Sequence, residues 1–132
     1  MLERVPIFAS LSERQLRQLA ADFVERTISE GTTVVRQGDK GVGFFLILDG
    51  KVEARRKDRR VATLGPGSFF GEMALVGNTP RTADVVAVET TRCLVLSQWE
   101  FWGFASDKPK VLRGIIEEMA RRLSSSNQAL SE

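Results

Sequence analysis

The chain has 132 residues, 42% of them hydrophobic and 27% charged, enough for one domain with its own apolar core and no disulfide or metal staple. Lys and Arg number 19 against 17 Asp and Glu, a net charge of +2 that argues against a charge-extended disordered chain and against general nucleic-acid binding. With no histidine and one cysteine, the chain lacks the ligands and bases for a structural zinc site, an iron–sulfur cluster or a Ser-His-Asp triad.

The first element reads as a helix over about residues 11–27. Ser10 and Glu13 have the spacing of a capping box with Ser10 as N-cap. Leu16, Leu19, Ala20, Phe23 and Val24 then recur on one helical face, and Gly31 marks the exit. From about residue 31 to 97 the period changes. Short β-prone runs at 32–36, 44–48, 51–55, 60–64, 84–88 and 92–96 alternate with turn signals. These are Gln37-Gly38-Asp39, Asp49-Gly50, Gly65-Pro66-Gly67 and Gly77-Asn78-Thr79-Pro80. About six to eight such strands predict a mainly β fold, an antiparallel β-barrel or jelly roll with flanking helices.

Within this region, the basic run Arg55-Arg56-Lys57-Asp58-Arg59-Arg60 lies between two strand-like segments with no aromatic interleaving. It reads as a solvated hairpin tip rather than a lipid or nucleic-acid patch. Cys93 alternates toward the core. Helices return over about 98–126. Trp99, Phe101, Trp102 and Phe104 read as core joining helix to barrel. Pro109 falls near a helix start, and Leu112, Ile115, Ile116, Met119 and Leu123 form an apolar stripe. Ser124-Ser125-Ser126-Asn127 breaks that pattern. The expectation is one domain over residues 1–132.

The longest apolar run, 42–48, is far short of the ~18 residues of a spanning helix. The first ten residues have no long apolar stretch of the export type. The expectation is a cytoplasmic chain, or the cytoplasmic part of a larger protein, with no membrane insertion of its own.

Chemistry concentrates in residues 69–85. Gly71 lets a ligand approach the backbone closely. Glu72-Met73-Ala74-Leu75 suits about one helical turn, whose unpaired N–H groups favour an anion. Arg81 enters the next strand from a Pro-fixed turn as a permanent charged fork matched to phosphate oxygens. Thr82 and Ala83 are small and leave their N–H groups accessible. Glu72 would repel a phosphate unless it accepts hydrogen bonds from the ligand, and a ribose hydroxyl is the natural donor. A phosphate and a sugar hydroxyl held close together describe a cyclic phosphate fused to ribose.

The stretch Phe70-Gly71-Glu72-Met73-Ala74-Leu75 followed by Pro80-Arg81-Thr82-Ala83 resembles the phosphate-binding cassette of the cyclic-nucleotide-binding domain family. That family includes catabolite activator proteins, regulatory subunits of cAMP-dependent protein kinase and domains of cyclic-nucleotide-gated channels. The glycine frame around Gly31, Gly38, Gly50, Gly65 and Gly67 agrees, and the resemblance covers about residues 5–123. It implies a non-catalytic sensor of cAMP or cGMP, with no other cofactor. Glu72 would accept from the ribose 2′-OH, and Arg81 would pair with the phosphate oxygens. The N–H groups of Gly71, Thr82 and Ala83 would complete the cradle, with Phe70, Met73 and Ala74 alongside. The C-terminal helix would close over the base, with Arg113, Ile116 and Arg121 as lid candidates, and would transmit binding to an effector domain or protein.

Two positions depart from the usual pattern. Thr82 resembles sites that favour cGMP. Asp84 stands where the family more often has a neutral residue, and on a face shared with Thr82 it would either orient Arg81 or weaken binding. Other readings stay open. One is a structural Glu72–Arg81 salt bridge. Another is a degenerate domain acting as a ligand-free protein-interaction module. A transcription factor would need a helix-turn-helix after residue 123, so no DNA binding is expected of this chain alone. An enzyme is the weakest reading, because no nucleophile or metal set accompanies the Glu–Arg pair. The C-terminal helix could support a homodimer, though its stripe is too short to define a heptad.

Overall fold

The computed structural model describes residues 2–38, 43–75 and 83–131. The expected turn at Gly77-Asn78-Thr79-Pro80, and Asp39 of the Gln37-Gly38-Asp39 turn, lie outside the described residues. The chain forms two compact units, Asp22–Phe101 and Met1–Ala21 with Trp102–Glu132.

The first unit is made of strands: β1 (Val24–Ile28), β2 (Thr33–Val35), β3 (Gly43–Asp49), β4 (Val52–Arg56), β5 (Arg59–Leu64), β6 (Phe69–Phe70), β7 (Asp84–Ala87) and β8 (Thr91–Ser97). They form two four-stranded sheets, ordered β1-β8-β3-β6 and β2-β7-β4-β5. Every pairing is antiparallel. Among the described residues the sheets do not join into one closed ring, so the jelly-roll side of the expectation holds and the barrel becomes two sheets. Ile47 of one sheet and Val52, Val85 and Ala87 of the other are buried together. Ile28, Val34, Val35, Leu64 and Phe70 pack around them, so both sheets contribute to one core.

Two turns show how the sequence makes these pairs. Gly50, between β3 and β4, has φ +94, and a Cβ there would lie 2.5 Å from the Thr90 carbonyl oxygen and 2.7 Å from Thr91 Cα. Only glycine meets both demands. The basic run is the β4–β5 hairpin, with Arg56 paired to Arg59 and Lys57 and Asp58 at the tip. Both tip residues have positive φ, 52° and 63°, as a two-residue type I′ turn requires.

The second unit begins with two short 3-10 turns, Leu2–Arg4 and Pro6–Phe8, and then α1 (Glu13–Ala20). It also holds most of α2 (Gln98–Ala105) and all of α3 (Pro109–Ser131). Val5, Ile7, Phe8, Leu11, Leu19, Phe104, Ala105, Val111 and Ile115 are its buried side chains. Ser10 lies against Gly114 of α3, where a Cβ would fall 2.7 Å from Ser10 Cβ. No helix among the described residues is long and apolar enough to cross a membrane.

Five expectations change. The N-cap of α1 is Ser12, which accepts from Gln15 N at 3.1 Å and whose own N–H donates to Gln15 Oε1 at 3.0 Å. The i→i−4 bonding opens with Leu16 N donating to Ser12 O at 2.9 Å, two residues later than a Ser10 cap would require. The helix also ends at Ala20 rather than near 27. Val24 is 53% exposed, and Val24–Ile28 pairs along β8 from Val95 to Thr91, so strand pairing overrides the helical spacing. In α2, Phe101, Phe104 and Ala105 share the buried face, which leaves Trp99 72% exposed rather than in the core. In α3 the buried face centres on Val111 and Ile115, while Ile116 and Leu123 of the expected stripe are exposed. The helix runs through the serines to Ser131, since propagating a formed helix is easier than starting one.

Candidate functional site

The cassette begins at β6, only two residues long, held on both sides of its entry turn. Gly67 N donates to Ile47 O at 2.8 Å, and Ile47 N donates to Ser68 O at 2.9 Å. Phe70 pairs with Phe45 of β3 and Phe69 with Leu46. The Phe70 ring stacks on Phe45, with centroids 4.7 Å apart and planes 5° from parallel. Phe69 packs tilted on Phe44 at 5.7 Å, and Phe23 meets the Phe44 ring edge-on at 6.1 Å. Phe70 is therefore a packing anchor, and its side chain is spent on the inter-sheet core.

Gly71 follows with φ +84, a conformation that turns the chain sharply out of β6. Glu72–Leu75 then form one 3-10 turn, which includes Met73. Ala74 N donates back to Gly71 O at 3.0 Å. Ala74 and Leu75 are buried and hold this turn down. Glu72 is half-buried, and its Oε2 is turned away from solvent. A glycine-freed backbone and a half-buried carboxylate thus sit together at the end of β6.

Arg81 and Thr82, the cassette's cation and hydroxyl, lie outside the described residues. Ala83 is half-buried and leads into β7. Val85 and Ala87 point into the inter-sheet core, which places Asp84 and Val86 on the opposite face. Asp84 stands opposite Arg55 in the β4–β7 register, and its Oδ1 accepts from Gln37 N at 2.6 Å.

The lid candidates lie on α3, in the other unit. Arg113 is exposed and pairs with Glu117 at 3.3 Å, Ile116 is exposed, and Arg121 Nε donates to Glu118 Oε2 at 3.1 Å. Both arginines are matched by glutamates of their own helix. Phe45 and Gln37 are the contributors that sequence reasoning missed. Phe45 is one of several apolar residues in a strand, and only the β3–β6 register reveals which ring meets Phe70. Cys93 is buried, as its alternation indicated.

Residues 25–108 match the family model described as Cyclic nucleotide-binding domain. The chain is 33% identical over 123 residues to the Cyclic AMP receptor protein of Thermus thermophilus, which covers 89% of this chain and 57% of that protein. It thus spans little more than half of that relative's length. Among solved structures, the N-terminal domain of a transcriptional regulator from Streptomyces coelicolor superposes with TM-score 0.86 at 31% identity, covering 98% of this chain and 94% of that one. The regulatory domain of Toxoplasma gondii PKA, crystallised with cAMP, superposes with TM-score 0.71 at 30% identity, covering 78% of this chain and 41% of that one. A family match across most of both sheets, and a fold shared over nearly the whole length, make this chain a member of the cyclic nucleotide-binding domain family.

Proposed function

We propose that the chain is a sensor that binds cAMP or cGMP without turning it over. The observation that carries this reading is the end of β6, where Gly71 at φ +84 leads directly into the 3-10 turn that opens with half-buried Glu72. The glycine leaves backbone within reach of a ligand, and the carboxylate can accept from a sugar hydroxyl. Arg81 follows at the spacing that the family resemblance requires for the phosphate, and the N–H groups of Thr82 and Ala83 complete the anion's partners.

Residues 1–132 are read as one such domain, in which α3 carries the response to an effector domain or protein. Ligand moves that response only by binding one state better than the other. A cytoplasmic location fits this reading.

Calorimetric titration with cAMP and cGMP side by side, on protein freed of co-purified nucleotide, tests it. Micromolar or tighter binding of either supports the reading, and their ratio reports whether Thr82 favours guanine. Arg81→Ala removes charge-assisted bonds of about 1.5–3 kcal/mol each, so binding should weaken roughly tenfold to several-hundredfold. Unchanged affinity in that variant would remove Arg81 from the site. Binding of neither nucleotide would leave a fold kept for protein contacts. Prolonged incubation followed by chromatography should return the nucleotide intact.

A further inference from the structure

Asp84 is the residue of this site that the binding reading does not explain, since a carboxylate three positions after the phosphate-pairing Arg81 has the wrong charge. Its surroundings supply another role. Asp84 is the first residue of β7, on the face away from the inter-sheet core. Arg55 stands opposite it across the β4–β7 pair, with its guanidinium paired to Glu53 at 2.8 Å. On its other side, β7 pairs with β2 only through Thr33 and Val35, with a register shift between them. Beyond that pairing, the Asp84 carboxylate takes over. Its Oδ1 accepts from the Gln37 backbone N–H at 2.6 Å, just before Gly38 turns the chain at φ +88. A side chain thereby extends the β2–β7 ladder by one rung and ties the residue that leaves β2 to the residue where the cassette enters β7.

We infer that Asp84 is a positioning residue for the nucleotide site. It acts through the Gln37 amide to fix where the chain enters β7 after Ala83, and it does not act as a repelling anion beside the phosphate. This inference rests on the binding reading above. It separates two properties of one side chain, the hydrogen-bond acceptor and the charge. Asp84→Asn keeps an acceptor of the same reach and removes the charge, whereas Asp84→Ala removes both.

The test is cAMP titration of the 132-residue chain and of both variants, with melting temperatures and the Gln37 amide resonance recorded in parallel. Asp84→Asn should bind within about threefold of the parent and keep the shifted Gln37 amide proton. Asp84→Ala should bind roughly tenfold more weakly, because only about a tenth of the unanchored chains then hold the binding arrangement, and the amide proton should move upfield. Affinity unchanged or improved in Asp84→Ala overturns the inference, as does an Asp84→Asn variant that binds as weakly as Asp84→Ala. If Asp84→Ala does not fold, Asp84→Asn decides alone: parental affinity supports positioning, and a gain or a tenfold loss shows that the charge is what matters. A parent chain that binds neither cAMP nor cGMP overturns the binding reading and this inference together. Binding by the parent with no response to Asp84→Ala overturns only the inference.

Discussion

Phe45 and Phe70 lie face to face across the β3–β6 pair, 4.7 Å between ring centroids. A strand of two residues has few backbone bonds of its own, so this stack and the adjoining core hold β6 in place. Because Gly71 and Glu72 follow immediately, the position of the carboxylate depends on that ring. Phe70→Ala should lower stability by about 2–3 kcal/mol, below a full core deletion because the ring is only half-buried. Phe70→Leu should recover most of it. Chemical denaturation measures both, and an unaltered midpoint in Phe70→Ala would show that β6 is held by something else.

Gly114 sits in α3, where alanine is normally the better helix former by about 1 kcal/mol. Here the sign should reverse, because an added Cβ would lie 2.7 Å from Ser10 Cβ, a distance ordinary contacts do not reach. Gly114→Ala alone should lower the melting temperature. In a Ser10→Gly background, which removes the opposing atom, the same change should raise it. If the two substitutions are simply additive, the two positions are not coupled.

Burial pushes the Cys93 thiol above its ordinary value, with the Arg26 charge opposing the shift. In the unfolded chain a thiol titrates near ~8.5. Between that point and the raised folded value, the unfolded chain gives up the proton while the folded chain keeps it. Stability contributed by the neutral thiol is therefore complete below about pH 8 and falls as pH rises through this window. Urea midpoints from pH 7 to 10 should drop more steeply for the parent than for Cys93→Ala. Parallel curves would contradict this.

Lys57 and Asp58 both occupy left-handed backbone, a region in which lysine is strained and asparagine tolerated. Lys57→Asn should stabilise the β4–β5 hairpin by roughly 0.5–1 kcal/mol, a rise of about 2–4 °C in melting temperature. No rise, or a fall, would mean that lysine makes a compensating contact at the tip.

The fold class was legible because glycine-bounded runs of β-branched residues have few other uses, and six of the eight strands were found this way. β1 was not, since Phe23 and Val24 continue the helical spacing of Leu16 and Leu19. The choice between helix and strand there is made by pairing with β8, some seventy residues later. β6 was not, since two residues carry no period. The capping boxes show the same limit. Ser10–Glu13, Ser12–Gln15 and Ser97–Glu100 all have the right spacing, and only the last two form. Glu100 N donates to Ser97 Oγ at 3.1 Å at the start of α2, while Glu13 instead pairs with Arg17 one turn on at 2.7 Å. At the site, Gly71 and Glu72 could be identified from residue type and spacing. The Gln37–Asp84 bond could not, since it joins a backbone N–H to a side chain 47 positions away.

The outermost strand of the second sheet, β5, is exposed along nearly its whole length, with Val61 50% open to solvent. An unpaired strand edge of this kind is a template on which another copy could dock and grow. Arg59 and Arg60 stand at its start, and Arg55 and Arg56 face them across the hairpin. The basic tip thus sets charge at the start of an open edge, the kind of feature that opposes strand-to-strand docking.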